Sequence, residues 1–141
     1  MYNVLAVIPA RGGSKGIPFK NLLKIKNKSL IQIAIQEAKK SSLINKLLFS
    51  SDHNKLINEA KKFIEVEFKR PARLAMDRSS SYDVARHALD YYEKTYKKKA
   101  DYIVLLPPTT PFRTSKDIDD SIKKLIKNKN FDSLVAVTNV N

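Results

Sequence analysis

Short apolar runs alternate with stretches of helical spacing along the whole chain, and this alternation limits the fold more than any other feature. Val4–Ile8 is apolar at every position. A run so short and continuous suits a strand buried on both faces. Leu47–Phe49 and Tyr102–Leu106 read as further strands, Ile64–Phe68 as a weaker alternating one, and Leu134–Val137 as the last. Between them, Leu30, Ile31, Ile33, Ala34, Ile35 and Ala38 form a wide helical face. Leu56, Ile57, Ala60 and Phe63 recur at helical steps, as do Val84, Ala85, Ala88, Leu89 and Tyr92, and again Ile118, Ile122, Leu125 and Ile126. Ser29-x-x-Gln32, Ser80-x-x-Asp83 and Thr114-x-x-Asp117 each fit a capping box at a helix start. Asp52 stands where it could cap the helix after the second strand.

Strands alternating with helices imply βαβ units and a largely parallel sheet covered on both faces. Crossovers in such sheets are right-handed, and ligands sit beyond the carboxyl ends of the strands where the strand order reverses. Two loops have unusual composition. Pro9–Pro18 holds all three glycines of the chain, and Pro107–Arg113 holds three prolines and two threonines. If the strands before them are neighbours, both loops border one crevice.

Composition narrows the function classes. A chain of 141 residues, 43% hydrophobic and 29% charged, fits one ordinary globular domain. It contains no cysteine, which excludes disulfides and thiolate zinc sites. No apolar run is long enough to span a membrane, and no signal-peptide pattern appears, so a cytoplasmic protein is expected. The net charge of +13, from 27 Lys and Arg against 14 Asp and Glu, attracts polyanions. The lysines are spread over helix faces, at Lys39, Lys40, Lys61, Lys62, Lys123 and Lys124, and only Lys97–Lys99 is a continuous run. That dispersal argues for a solvated surface and against nucleic acid as the partner. His53 and His87 lack companions at metal-ligand spacing and read as structural.

The first loop runs Pro9-Ala10-Arg11-Gly12-Gly13-Ser14-Lys15-Gly16-Ile17-Pro18-Phe19-Lys20-Asn21. Glycines after a buried strand let the backbone turn tightly and aim amides at an anion. Arg11, Lys15 and Lys20 bring three cations within ten residues. Cations aimed at a reacting phosphate stabilise charge that grows in the transition state. Neither the Walker order nor the dinucleotide glycine spacing is present.

The strings Ala6–Arg11, Ser14–Pro18 and Lys20-Asn21 resemble the signature of the CMP-N-acetylneuraminate synthetases, or acylneuraminate cytidylyltransferases. Ser50-Ser51-Asp52, Arg70-Pro71-Ala72 with Leu74, Ala75 and Asp77, and Pro108–Thr114 agree with the same family in order and spacing. The resemblance implies an α/β fold: a Rossmann-like, three-layer α/β/α domain with a mainly parallel sheet, of the nucleotide-diphospho-sugar transferase type, here truncated. It implies that Arg11, Lys15 and Lys20 serve catalysis by holding the CTP phosphates, with the amides of Ala10, Gly12, Gly13 and Ser14 around them. Asn21 would contact the ribose and Arg70 the cytosine edge, with Ser79 and Ser81 beside the base. From composition alone, Arg70 reads as a surface ion pair and Ser81 as a helix cap.

The resemblance also implies the reaction. The anomeric hydroxyl of an acidic nine-carbon sugar attacks the α-phosphorus of CTP, a CMP-sugar forms and pyrophosphate leaves. Sialic acid enzymes of the family usually carry Leu-Gln-Pro-Thr-Ser-Pro in the later loop, where this chain has Leu106-Pro107-Pro108-Thr109-Thr110-Pro111. Proline offers no donor. Pro107 and Thr109 therefore flank a sugar site open to sialic acid or to a legionaminic-, pseudaminic- or 3-deoxy-type acid. The family's homodimer-forming segment and its Mg2+-binding aspartates are expected outside residues 1–141, which form the nucleotide-binding part of one domain. The competing class is a non-catalytic polyanion-binding protein.

Overall fold

The computed structural model describes residues 1–13 and 15–140. Its centre is β1 (Val4–Pro9), whose residues Val4 to Ile8 are each at most 2% exposed. β4 (Lys46–Ser50) pairs with one edge of β1 and β5 (Tyr102–Leu105) with the other, both parallel. Val7 thus lies opposite Leu48 on one side and Leu105 on the other. The order β4-β1-β5 means the chain first steps to one side of β1 and later crosses to the other. The reversal falls between β1 and β5.

Period-two geometry sends alternate β1 side chains to opposite faces. Val4, Ala6 and Ile8 pack against α1 (Leu30–Lys40), α2 (Asn54–Lys61) and α4 (Ser115–Lys127). Leu5 and Val7 pack against Ala88 and Tyr92 of α3 (Ser81–Tyr96). Both faces being covered, β1 tolerates no polar position, which explains its unbroken apolar run. Each fully buried Val, Leu or Ile contributes about 1.5–3 kcal/mol.

The helix starts follow the sequence closely. Ser80–Asp83 and Thr114–Asp117 form complete capping boxes, and the Ser29 hydroxyl accepts from the Gln32 amide at 3.0 Å. Asp52 does not cap α2. His53 does, its Nδ1 accepting from the Lys55 amide at 3.2 Å, while Asp52 accepts from the Gly12 amide at 3.0 Å. The carboxylate is drawn to the turn beyond β1 instead of to its own helix.

Two expected strands are absent from the sheet. Residues 64–68 alternate as expected but form no ladder. Ile64 and Val66 pack on the α1–α2 side and Phe68 against Tyr91 and His87 of α3, so the segment carries the chain from one face to the other. Its alternation is satisfied by side-chain packing rather than by backbone pairing. Leu134–Val137 is likewise unpaired, with Val135 79% and Val137 89% exposed. Conversely, a small hairpin of β2 (Lys24–Ile25) and β3 (Lys28–Ser29) precedes α1. Lys26 and Asn27 turn it at φ 48° and 66°. Positive φ at both central residues is the pattern of a type I′ turn.

α1 and α4 clasp each other through two carboxylates. Glu37 accepts from the Ser115 amide at 2.9 Å, and Asp119 accepts from the Ser42 amide at 3.0 Å and from the hydroxyls of Ser41 and Ser42. The Ser115 amide is the main cause holding the Glu37 carboxyl below its ordinary 4.5. A depressed folded value stabilises the fold fully above 4.5, and that contribution disappears as the pH falls through the folded value. Glu37→Gln should therefore lose about 0.5–1.5 kcal/mol at pH 7 in urea unfolding. The gap to wild type should close well below pH 4.5.

Candidate functional site

β1 delivers its chain end into the site. The Ala10 amide donates to the Ser50 carbonyl at 2.9 Å, extending the β1–β4 ladder by one residue before the chain turns away. Ala10 is buried there, 2% exposed. At the next residue but one, a Cβ on Gly12 would lie 2.8 Å from His53 Cβ and 2.9 Å from its ring. Only glycine fits that approach. The His53 ring also meets the Phe19 ring edge-on, with centroids 4.8 Å apart. The turn is therefore wedged from below at both of its ends.

Residues on either side of these contacts, Arg11 and Lys20, line a cleft of about 300 Å³. Arg11, Lys20 and Asn21 form one wall, Arg70 and Ser79 to Ser81 a second, and Pro107, Pro108 and Thr109 a third. Eight of the expected site residues thus come together: Arg11, Lys20, Asn21, Arg70, Ser79, Ser81, Pro107 and Thr109. Gly12 stands beside them with its amide engaged by Asp52. Gly13 and Lys15 are exposed on the outer limb of the turn. Ser14 lies outside the described residues.

Two buried polar groups give the cleft its chemistry. Asn21 is 5% exposed, and its Oδ1 has no hydrogen-bond partner among the described residues. An unpaired buried acceptor costs about 1–3 kcal/mol, which a ligand donor would recover. Arg70 is 4% exposed and is not a surface ion pair. Its Nε donates to the Ser50 hydroxyl at 3.0 Å, Nη2 to the Ser50 carbonyl at 2.7 Å and Nη1 to the Leu74 carbonyl at 3.3 Å. Burial pushes its pKa down; the Asp52 carboxylate opposes this and the Arg11 charge adds to it. A guanidinium has five N–H donors. Three are held by the protein, so donors remain for a ligand in the cleft.

The remaining members have framework contacts. The Ser79 hydroxyl donates to the Arg73 carbonyl at 3.0 Å. Ser81 is the first residue of α3, and the cap is Ser80. Arg113 donates to the Thr110 hydroxyl at 3.0 Å and the Pro107 carbonyl at 3.3 Å, and so fastens the proline wall rather than facing the cleft. Sequence reasoning gave Asp77 no role, yet it lines the cleft and pairs with Arg11. A single acid in a basic neighbourhood carries little signal without coordinates. Among the described residues, no group of three or more His, Cys, Asp or Glu side chains could hold a metal. The one described carboxylate lining the cleft, Asp77, is paired with Arg11, so the lining does not by itself fit the Mg2+ that the resemblance implies. No helix among them is long and apolar enough to cross a membrane.

An open parallel sheet with a basic, glycine-bearing turn at its reversal point, facing a buried arginine and an unpaired carboxamide, has the form of a Rossmann-like nucleotidyltransferase. The cytidylyltransferase family model matches residues 5–141, and the chain belongs to that family. It is 34% identical over 140 residues to the N-acylneuraminate cytidylyltransferase of Escherichia coli O18:K1:H7 (strain RS218 / NMEC), covering 98% of this chain and 32% of that protein. It is 37% identical over 112 residues to the CMP-N,N'-diacetyllegionaminic acid synthase of Campylobacter jejuni subsp. jejuni serotype O:2 (strain ATCC 700819 / NCTC 11168), covering 79% and 48%. A CMP:2-keto-3-deoxy-manno-octonic acid synthetase solved with CTP superposes with a TM-score of 0.71 over 89% of this chain and 48% of that one. At 21% identity that likeness is one of fold. The chain spans between 32% and 59% of the length of the first curated relatives it matches. Membership of the cytidylyltransferase family does not favour the polyanion-binding alternative.

The Gly12 contact generates a direct test. Gly12→Ala must shift His53 or the turn, since a β-carbon cannot flex out of the way, and should cost about 1–3 kcal/mol in denaturant unfolding. An unchanged unfolding midpoint would show that the turn is not wedged on His53.

Proposed function

We propose that this chain binds CTP and supplies the nucleotide half of a transfer of CMP to an acidic nonulosonic sugar. The observation that carries the reading is the juxtaposition, in one cleft, of Arg11 and Lys20 with the buried Asn21 and Arg70. Arg11, Lys15 and Lys20 are suited to a triphosphate, Arg by bidentate contact and the lysines as mobile point charges. Asn21 Oδ1, lacking a donor, suits a ribose hydroxyl. The spare Arg70 N–H groups suit acceptors on a pyrimidine edge, where a base without matching groups would leave buried donors unpaired.

In the proposed reaction the sugar's anomeric hydroxyl gives up its proton to solvent as its oxygen bonds to the α-phosphorus, and the bond from that phosphorus to the bridging oxygen breaks. Pyrophosphate departs with the electron pair. The cations of the turn oppose the charge that accumulates on the transferring phosphate, and alignment in the cleft supplies much of the remaining rate. Mg2+, its ligands, the dimer-forming segment and the completed sugar site are proposed to belong to the enzyme outside these residues. A cytoplasmic location goes with that reading.

The acceptor is proposed to be a sialic acid or a related nonulosonic acid. Pro107 and Pro108 give the third wall an apolar stretch beside Thr109. A sugar face rich in carbon suits that stretch, and the Thr109 hydroxyl is left to meet a polar group of the sugar.

Calorimetric titration should find CTP bound at least about tenfold tighter than ATP or GTP, the discrimination expected when polar groups read a base edge. Arg11→Ala should weaken CTP binding by about tenfold, in line with a charge-assisted phosphate contact. Equal affinity for all nucleoside triphosphates would refute base selection by this cleft.

A further inference from the structure

The cations of the turn already hold an anion. Arg11 Nη1 meets Asp77 Oδ1 at 2.8 Å, and Lys15 Nζ meets Asp77 Oδ2 at 3.6 Å, one carboxylate oxygen to each cation. Asp77 sits between the short helical turn Ala72–Leu74 and α3, and it lines the same cleft as Arg11. The hydrogen bond from Arg11 is the first cause holding its carboxyl below the usual carboxylate range.

As a structural strut the contact is weak. The Asp77 side chain is 53% exposed and that of Lys15 79%, and ion pairs so open to water add little to stability. As a competitor it matters more, because it occupies an N–H donor of Arg11, which lines the cleft. A ligand phosphate and the Asp77 carboxylate cannot both occupy the same side of the Arg11 guanidinium. The carboxylate carries one negative charge, and a triphosphate carries several spread over three groups.

We propose that Asp77 is an internal counter-anion of the turn. It engages Arg11 and Lys15 while the cleft lacks nucleotide, and it swings away when phosphates arrive. This deepens the CTP reading and rests on it. A triphosphate replaces both lost contacts and gains Lys20 as well. A monophosphate offers one group against a tethered carboxylate of high local concentration, and it competes poorly. Asp77 thereby favours a triphosphate over a nucleoside monophosphate and recaptures the cations once pyrophosphate has gone.

The test is titration of CTP and of CMP, in EDTA, into wild type, Asp77→Asn, Asp77→Ala and Arg11→Ala proteins. Asparagine keeps the shape of the side chain and alanine removes it, so agreement between the two separates charge from packing. Both Asp77 variants should bind CTP about two- to fivefold tighter, the scale of an exposed ion pair. They should gain more for CMP, so the ratio of CTP to CMP affinity narrows, and the gain should shrink at high salt. Unchanged or weaker CTP binding in both Asp77 variants, with Arg11→Ala still weakened, overturns the counter-anion and leaves the nucleotide reading standing. An equal gain for CTP and CMP overturns its part in selectivity. Absence of CTP binding by wild type, or indifference of CTP to Arg11→Ala, removes the nucleotide reading and the counter-anion with it.

Discussion

Everything in this fold hangs on the burial of β1. Pairing on both edges and packing on both faces give its backbone and side chains one solution, and a strand so enclosed cannot slip register without turning its whole apolar set the wrong way. The Ala10–Ser50 hydrogen bond carries that order one residue past the strand. From there Gly12 against His53, and Phe19 against the same ring, hand the constraint on to the turn. The site is thus positioned by the core through a short chain of contacts, each with little freedom of its own.

The electrostatics of the cleft follow from where its charges sit. Arg70 is buried among carbonyls and a hydroxyl, with no carboxylate of the described residues hydrogen-bonded to it, and Arg11 stands close enough to lower its pKa. Two neighbouring guanidinium groups, one of them desolvated, leave a positive field that an anionic ligand relieves. The net charge of +13 gave the sign of such a field from composition alone. Its location came from the fold, because among the described lysines only Lys20 lines the cleft.

Much of this was legible from residue patterns, and the failures have physical causes. Val4–Ile8, the four helical faces and the Ser80 and Thr114 boxes are local features, and each appears where periodicity put it. The neighbouring of β1 and β5, which brings Pro107 and Thr109 to Arg11, was legible only as a condition. Residues 64–68 misled because alternation reports two-sided burial and cannot say whether the backbone finds a pairing partner. Leu134–Val137 has strand composition without an edge to join among the described residues. The cap expected of Asp52 fell to His53 because a carboxylate at a helix start can answer either its own helix or a neighbouring amide, and only the approach of Gly12 decides which. The pairing of Asp77 was invisible for a related reason: its partners lie more than sixty positions away.

The tethering of Arg70 to Ser50 and Leu74 has a thermodynamic corollary. Arginine is among the side chains that lose most rotamer freedom when ordered. Here that loss is charged to folding, since three hydrogen bonds already hold the guanidinium before any ligand arrives. Association at this wall therefore meets a preorganised surface, and the entropic penalty of capture falls on the ligand and on the exposed limb carrying Lys15, whose side chain, 79% exposed beside Asp77, still has rotamer freedom to lose.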